Sequence, residues 1–255
     1  MSNGWLEPLR SQWAQWREAG IAVGLDELGQ IADLPPLASL GLSLHKWIAD
    51  RQGEANLWAY LETMAAVDHE RFGMLESFIS DLNHDVERLV ARGGRRAIEV
   101  ESQRLAALLG AIVADGVAVG YESGQYETPH LLLDIVGTLH EAELEVLVAL
   151  EAPRQDPFAD QHVAQLLDGA PRMTNGALGA SELSHLLPGL ALVIVPAIKR
   201  LEGRGLVHDV LANTVDGGGA APEPEDPTGL AGRWSATAAG RQLLGYLEEL
   251  RQLEA

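Results

Sequence analysis

Asp81, His84 and Asp85 fall at i, i+3 and i+4, so they share one face if their segment is helical, and Asp68-His69 stands at the start of the same segment. Carboxylate oxygens and an imidazole at that spacing are the ligand types of a divalent metal site. The competing reading is compositional: a chain with 37 Asp+Glu places acids beside histidines by abundance, and His84 lies outside the apolar stripe of its own segment. That reading carries more weight, and no metal is expected. His140-Glu141 continues as Ala-Glu-Leu, so the two-histidine pattern of a zinc protease is missing. No serine sits in a nucleophile elbow, and Gly217-Gly218-Gly219 runs into acids and prolines rather than into a phosphate-cradling helix. No acid, base and nucleophile assemble into a reaction, so neither an enzyme nor a cofactor is expected.

Arg88, Arg92, Arg95 and Arg96 form the one local basic cluster. An anion or RNA contact is one reading. The other is a solvated helix face, with cations near a helix C-terminus and Glu87, Glu99 and Glu101 interleaved as exposed pairs, and this is the favoured one. The chain as a whole is acidic, 37 Asp+Glu against 18 Lys+Arg for a net charge of -19. From His130 onward the balance is 8 Lys+Arg against 18 Asp+Glu, or -10, so the C-terminal half is no hidden basic domain. Such a field repels polyphosphate, and phosphate neutralisation supplies most non-specific nucleic-acid affinity. Nucleic acid is therefore a disfavoured partner.

The elements that would position these residues are helices. Leu6, Leu9, Trp13 and Trp16 make one apolar stripe over residues 5 to 18, with mixed charges on the other face, so docking on a bundle is favoured over a membrane surface. After a break at Leu34-Pro35-Pro36, Leu57, Leu61 and Met64 mark a further helix. Phe72, Leu75, Ile79, Leu82, Val86 and Leu89 then recur at alternating steps of three and four, a seam that asks for a partner helix. That partner is expected after a turn at Gly93-Gly94, where Ile98, Leu105, Leu108, Leu109, Ile112 and Val113 line one face. A helical bundle over 1–124 is the result.

A second domain is expected over 128–255. Thr128-Pro129 opens a bridging helix, Thr138 to Glu141 has the capping-box pattern before the next, and Phe158 to Leu167 reads as an inserted helix. Ser181 to Val207 reads as a helix-turn-helix: a short helix stopped by Pro188-Gly189, then a second helix ending at Gly203-Arg204-Gly205 before strand-like Leu206-Val207. Two wing strands follow, separated by 216–229, a Gly, Pro and acid-rich wing tip whose composition predicts disorder. Thr237 caps a last helix. The fold class is thus mostly α, a helical bundle plus a winged helix-turn-helix with a small two-stranded wing.

In the second helix, Ile194, Ile198 and Leu201 face inward by spacing. A reader of DNA carries Arg, Lys, Asn or Gln on the outward positions. Here Ala191, Leu192, Val193, Val195 and Pro196 stand there, and an apolar face of that kind, with Val193, Val195 and Pro196 as its candidate contacts, marks an interface with protein, the chain's own second copy above all. The alternative is a DNA-binding regulator in which Lys199, Arg200, Arg204 and Arg233 contact phosphate.

ESQRLAALLGAIVADG, LLLDIVGTLHEAELEVLVALEA, VIVPAIKRLEGRGLV and SATAAGRQLLGYLEEL follow one another from Glu101 to the end. In that order they resemble a bacterial family of unknown function linked by name to abortive phage infection, its alpha type; the last two are equally similar to winged-helix transcription regulators. The resemblance implies a helical region followed by a winged-helix-like end and a role in defence against phage. It implies no catalytic residues. With zero cysteines, no signal-peptide pattern at the first residues and no run near the roughly 20 apolar residues of a membrane helix, a cytoplasmic protein without disulfides is expected.

Overall fold

The computed structural model describes residues 10–11, 44, 48, 50–71, 84–123, 125–151, 177–210 and 232–254. Eight α-helices and a two-stranded antiparallel sheet make up the regular structure there: α1 (Arg51–Arg71), α2 (His84–Glu99), α3 (Gln103–Ser123), α4 (Glu127–Val136), α5 (Glu141–Glu151), α6 (Ala180–Leu186), α7 (Ile194–Gly203), β1 (Val207–Asp209), β2 (Trp234–Ala236) and α8 (Ala238–Glu254). The protein is mostly helical, a helical bundle with a small sheet near the C-terminus. The stripe over 5 to 18, the inserted helix over 158 to 167 and the wing tip 216–229 fall outside the described residues, apart from Arg10 and Ser11.

The chain divides into two compact units, residues 1–140 with 246–255, and residues 141–245. The division lies at 140/141 rather than between 124 and 128, because α4 belongs to the bundle. Pro129 packs directly on Gly116 of α3, Leu132, Leu133 and Val136 are buried, and Asp134 accepts from Arg92 of α2 at 2.5 Å. The last turns of α8 belong to the same unit, where the Tyr246 hydroxyl donates to Asp115 of α3 at 2.6 Å.

In the bundle, α1, α2 and α3 pack closely enough that glycines are required at the crossings. Gly93 and Gly94, expected as a turn, lie inside α2, which runs on to Glu99. A Cβ on Gly93 would stand 2.6 Å from Val113 and 3.0 Å from the Tyr60 hydroxyl, and one on Gly94 would stand 2.3 Å from Leu44. These glycines therefore serve helix approach, at the propensity cost of about 1 kcal/mol each that glycine carries inside a helix. The chain turns instead at Val100 to Ser102. Contacts of Gly93 with Val113 and of Gly116 with Leu89 show α2 and α3 antiparallel.

Two polar groups inside this core are satisfied. Asn56, fully buried, donates from Nδ2 to the Val100 carbonyl at 2.6 Å and accepts from Gln52 at 2.8 Å; Tyr60, whose hydroxyl pKa burial pushes up, donates to the Val90 carbonyl at 2.9 Å. The segment 103–120 of α3 is apolar and long enough to cross a membrane, but 67% of it is buried, as expected of the central helix of a bundle.

In the second unit, Ile194, Ile198 and Leu201 of α7 are buried with Leu144 and Leu147 of α5 and Leu183 of α6. The end of α7 is a Schellman motif. Gly205 takes φ 71°, its N–H donates to the Glu202 carbonyl, and the Leu206 N–H donates to the Leu201 carbonyl, each at 2.9 Å. β1 and β2 pair with Val207 opposite Ala236, His208 opposite Ser235 and Asp209 opposite Trp234. On the other edge of β2, Leu178 exchanges both backbone hydrogen bonds with Trp234, a pairing that the loop-like sequence around it does not announce. Thr237 caps α8 as its sequence position predicts, its Oγ1 accepting from the Gly240 N–H at 3.2 Å.

Candidate functional site

The site singled out by sequence is the outward face between α6 and α7. α7 begins at Ile194, four residues later than the sequence suggests, preceded by a 3₁₀ turn at Pro188–Leu190 and a further turn through Val193. Pro196 sets this start. Its ring would clash with the carbonyl four residues back in a helix interior, and it has no N–H to donate, so it is accommodated only within a first helical turn. The first backbone bond across that turn runs from the Ala197 N–H to the Val193 carbonyl at 2.9 Å.

Ala191, Leu192 and Val193 consequently stand on the turn in front of the helix instead of along its flank. Leu192 is 95% exposed, Leu186 at the end of α6 is 54% exposed and Val193 is 38% exposed. Pro188, Gly189, Ala191 and Pro196 are exposed as well, while Val195 is half-buried. Of the three expected interface residues, Val193 and Pro196 are thus presented to solvent and Val195 in part. Leu192, also an outward position by spacing, and Leu186, which spacing does not single out, are both more exposed than Val193. Leu186 escapes the spacing rule because it is the last residue of α6.

The four cations of the DNA-binding reading are all engaged within this unit. Arg200 and Arg204 both donate to Glu143 of α5, Arg204 at 2.7 Å to Oε2 and Arg200 to Oε1. Glu143 is fully buried, and sequence gives it no prominence among the many acids of α5. Its position explains the pairing: Leu144 and Leu147 bury the face of α5 that meets α7, and Glu143 beside them meets the basic end of α7. Lys199 pairs with Glu202 at 2.8 Å and its ammonium lies 5.9 Å from the centroid of the Trp234 ring. Arg233 donates to the Ala177 carbonyl at 2.9 Å and to Glu182 at 3.1 Å. Glu182 also accepts from the Gly179 N–H at 2.7 Å, fixing the start of α6.

Among the described residues Trp234 is the largest fully buried side chain, and its indole N–H has no hydrogen-bond partner there. Gly232 lies against it, where a Cβ would stand 2.4 Å from the ring. This leaves the sheet anchored by one aromatic wedge between α7 and the Leu178 edge.

Comparison of the whole chain with family models, curated proteins and solved structures finds no match. The geometry therefore stands by itself. For the other sequence candidates it gives the following. His84 approaches Glu87 at 3.3 Å, Asp81 lies outside the described residues, and among the described residues no three metal-ligating side chains converge. In the basic cluster, Arg92 and Arg96 of α2 share Asp134 of α4, at 2.5 Å and 3.4 Å, and Arg96 also meets Glu99 at 3.4 Å. Arg92 and Arg96 thus face α4 rather than a hinge between α2 and α3, since α2 does not turn at Gly93.

Proposed function

We propose that the chain is a non-enzymatic protein-interaction module whose C-terminal unit is a winged helix-turn-helix used for self-association, in the phage-defence or stress setting that its sequence resemblance suggests. The observation that carries this reading is the exposed apolar face of Leu186, Leu192, Val193 and Pro196. Leaving such side chains in water forgoes about 25 cal/mol for each Å² that a partner would cover. Contiguous exposed apolar surface marks interaction sites more often than accident.

The occupant is a second copy of this chain. Residues 186–198, LLPGLALVIVPAI, carry no charged side chain, although the whole chain stands at -19. Two copies meeting through this segment bring none of its side chains into charge repulsion. A two-fold axis makes one such patch self-complementary.

Duplex DNA is the weaker reading, because a phosphate would have to displace Glu143, Glu182 or Glu202 from the very cations it needs. Two measurements test the proposal together. Leu192→Asp with Val193→Asp should turn a dimer into a monomer in sedimentation, with the helical circular dichroism unchanged, since both side chains are exposed. Anisotropy of a labelled random duplex at low salt should show no binding tighter than about 10⁻⁶ M. A wild-type monomer would overturn self-association, and tight, steeply salt-dependent duplex binding would favour the regulator.

A further inference from the structure

The basic cluster of α2 acquires a histidine once the helices are assembled. Arg92 sends one nitrogen to Asp134 at 2.5 Å and places another 3.4 Å from Nδ1 of His130, one turn earlier on α4. Arg88 stands one turn before Arg92 on the same face, is exposed, and has no hydrogen bond or ion pair with any described residue. Burial and then the charges of Arg92 and Arg88 hold the His130 pKa below its usual 6.5, against the opposing pull of Asp134 on α4 and Asp85 on α2. The positive charge around this imidazole thus outweighs the negative. In a chain of net charge -19, that is a local inversion of the field.

Carboxylate supply at the cluster is limited in a directional way. Asp134 is taken by Arg92 and Arg96 together, and Glu99 by Arg96. These two carboxylates lie toward the Arg96 end, while Asp85, one turn before Arg88, acts on His130 from the other end more weakly than Arg92 and Arg88 do. Two guanidiniums on α2 and, on α4, an imidazole that can take up a proton offer donors from two helices. Such a set suits a tetrahedral oxyanion better than a planar carboxylate, which is already accommodated at Asp134.

We propose that Arg88, Arg92 and His130 form a binding site for a phosphate group at the junction of α2 and α4. The bound dianion would sit between the two guanidiniums and stabilise protonated His130. Binding and protonation are then linked: phosphate raises the pH at which His130 takes up its proton, and the phosphate dianion binds more tightly to the protonated than to the neutral imidazole. The sign is fixed, because an anion favours the charged form of the histidine while the unliganded site disfavours it.

The test follows the His130 imidazole by nuclear magnetic resonance across pH, with and without inorganic phosphate, the signal being assigned with His130→Gln. In the wild type, phosphate should move the His130 midpoint upward. Arg88→Gln, which removes a guanidinium with no described structural contact, should weaken the phosphate response about tenfold or more, the scale of a lost charge-assisted hydrogen bond. Arg95→Gln removes the same charge from the same helix and should leave the response nearly intact. Sodium acetate at equal ionic strength should produce a smaller shift. No movement of His130, an equal response in Arg88→Gln, an equal loss in Arg95→Gln, or an equal shift with acetate would each overturn the phosphate site.

Discussion

Replacing Arg200 and Arg204 together by Met should destabilise the unit of residues 141–245 by about 3–5 kcal/mol, the scale for a buried charge that loses its charged partner. Glu143 has no exposed surface, whereas Arg200 is 45% exposed and Arg204 is 21% exposed. The three groups therefore differ in what their loss leaves behind. Without the two guanidiniums, a carboxylate remains in the core beside Leu144 and Leu147. Without the carboxylate, two arginines remain that reach water by moving outward. Glu143→Gln should accordingly cost less, about 1–2 kcal/mol, since the amide carbonyl still accepts one guanidinium bond. Adding Glu143→Gln to the double Met variant should recover part of the loss. Urea unfolding of all three variants checks this, and equal costs for the carboxylate and the arginine pair would mean that the triad is not a buried charge held by exposed ones.

Gly110→Ala should destabilise the bundle, although alanine is the better helix former by about 1 kcal/mol. A Cβ at this position would stand 2.4 Å from the Tyr60 backbone carbonyl oxygen and 3.2 Å from the Met64 nitrogen, so α1 itself must move. Overpacking against a side chain typically costs about 1–3 kcal/mol, and here no rotamer change relieves it. The net loss should reach at least about 2 kcal/mol. Gly245→Ala gives the contrast, because among the described residues nothing beyond its own helix turn lies within 4 Å of the added methyl group in α8. There the propensity term acts alone, and stability should rise by up to about 1 kcal/mol. Thermal unfolding of both variants measures the two signs side by side.

These residues also mark where the sequence is legible. The buried faces of α7 follow from Ile194, Ile198 and Leu201 at helical spacing, because a period of 3.6 is enforced by the helix alone. The end of α7 is equally readable, since only a glycine takes the left-handed conformation at Gly205 without strain. Gly93 and Gly94 mislead for the opposite reason. Glycine permits a turn, but it also permits close helix contact, and only the packed partners Val113, Tyr60 and Leu44 decide between the two. The late start of α7 was present in the sequence as Pro196, which excludes a helix running back through Leu192. The Glu143 triad was not, because a pairing across more than fifty residues has no local period, and one acid among Glu141, Glu143, Glu145 and Glu151 is indistinguishable until α5 is docked. Lys199, Arg200, Arg204 and Arg233 look available for phosphate in sequence for the same reason.

The face built by Leu186, Leu192, Val193 and Pro196 is the centre of the account, and the chain's lack of cysteine makes it open to a direct test. Single cysteines at Leu192, Val193 and Pro196 report whether two copies meet there, since a disulfide forms only when the two Cα atoms come within about 7 Å. Under mild oxidation, at least one of Leu192→Cys, Val193→Cys and Pro196→Cys should give a cross-linked dimer in high yield. Gln242→Cys, on the exposed side of α8, should stay monomeric under the same conditions. Cross-linking as strong at Gln242 as at the apolar face, or none at any of the three positions, would contradict self-association through this surface.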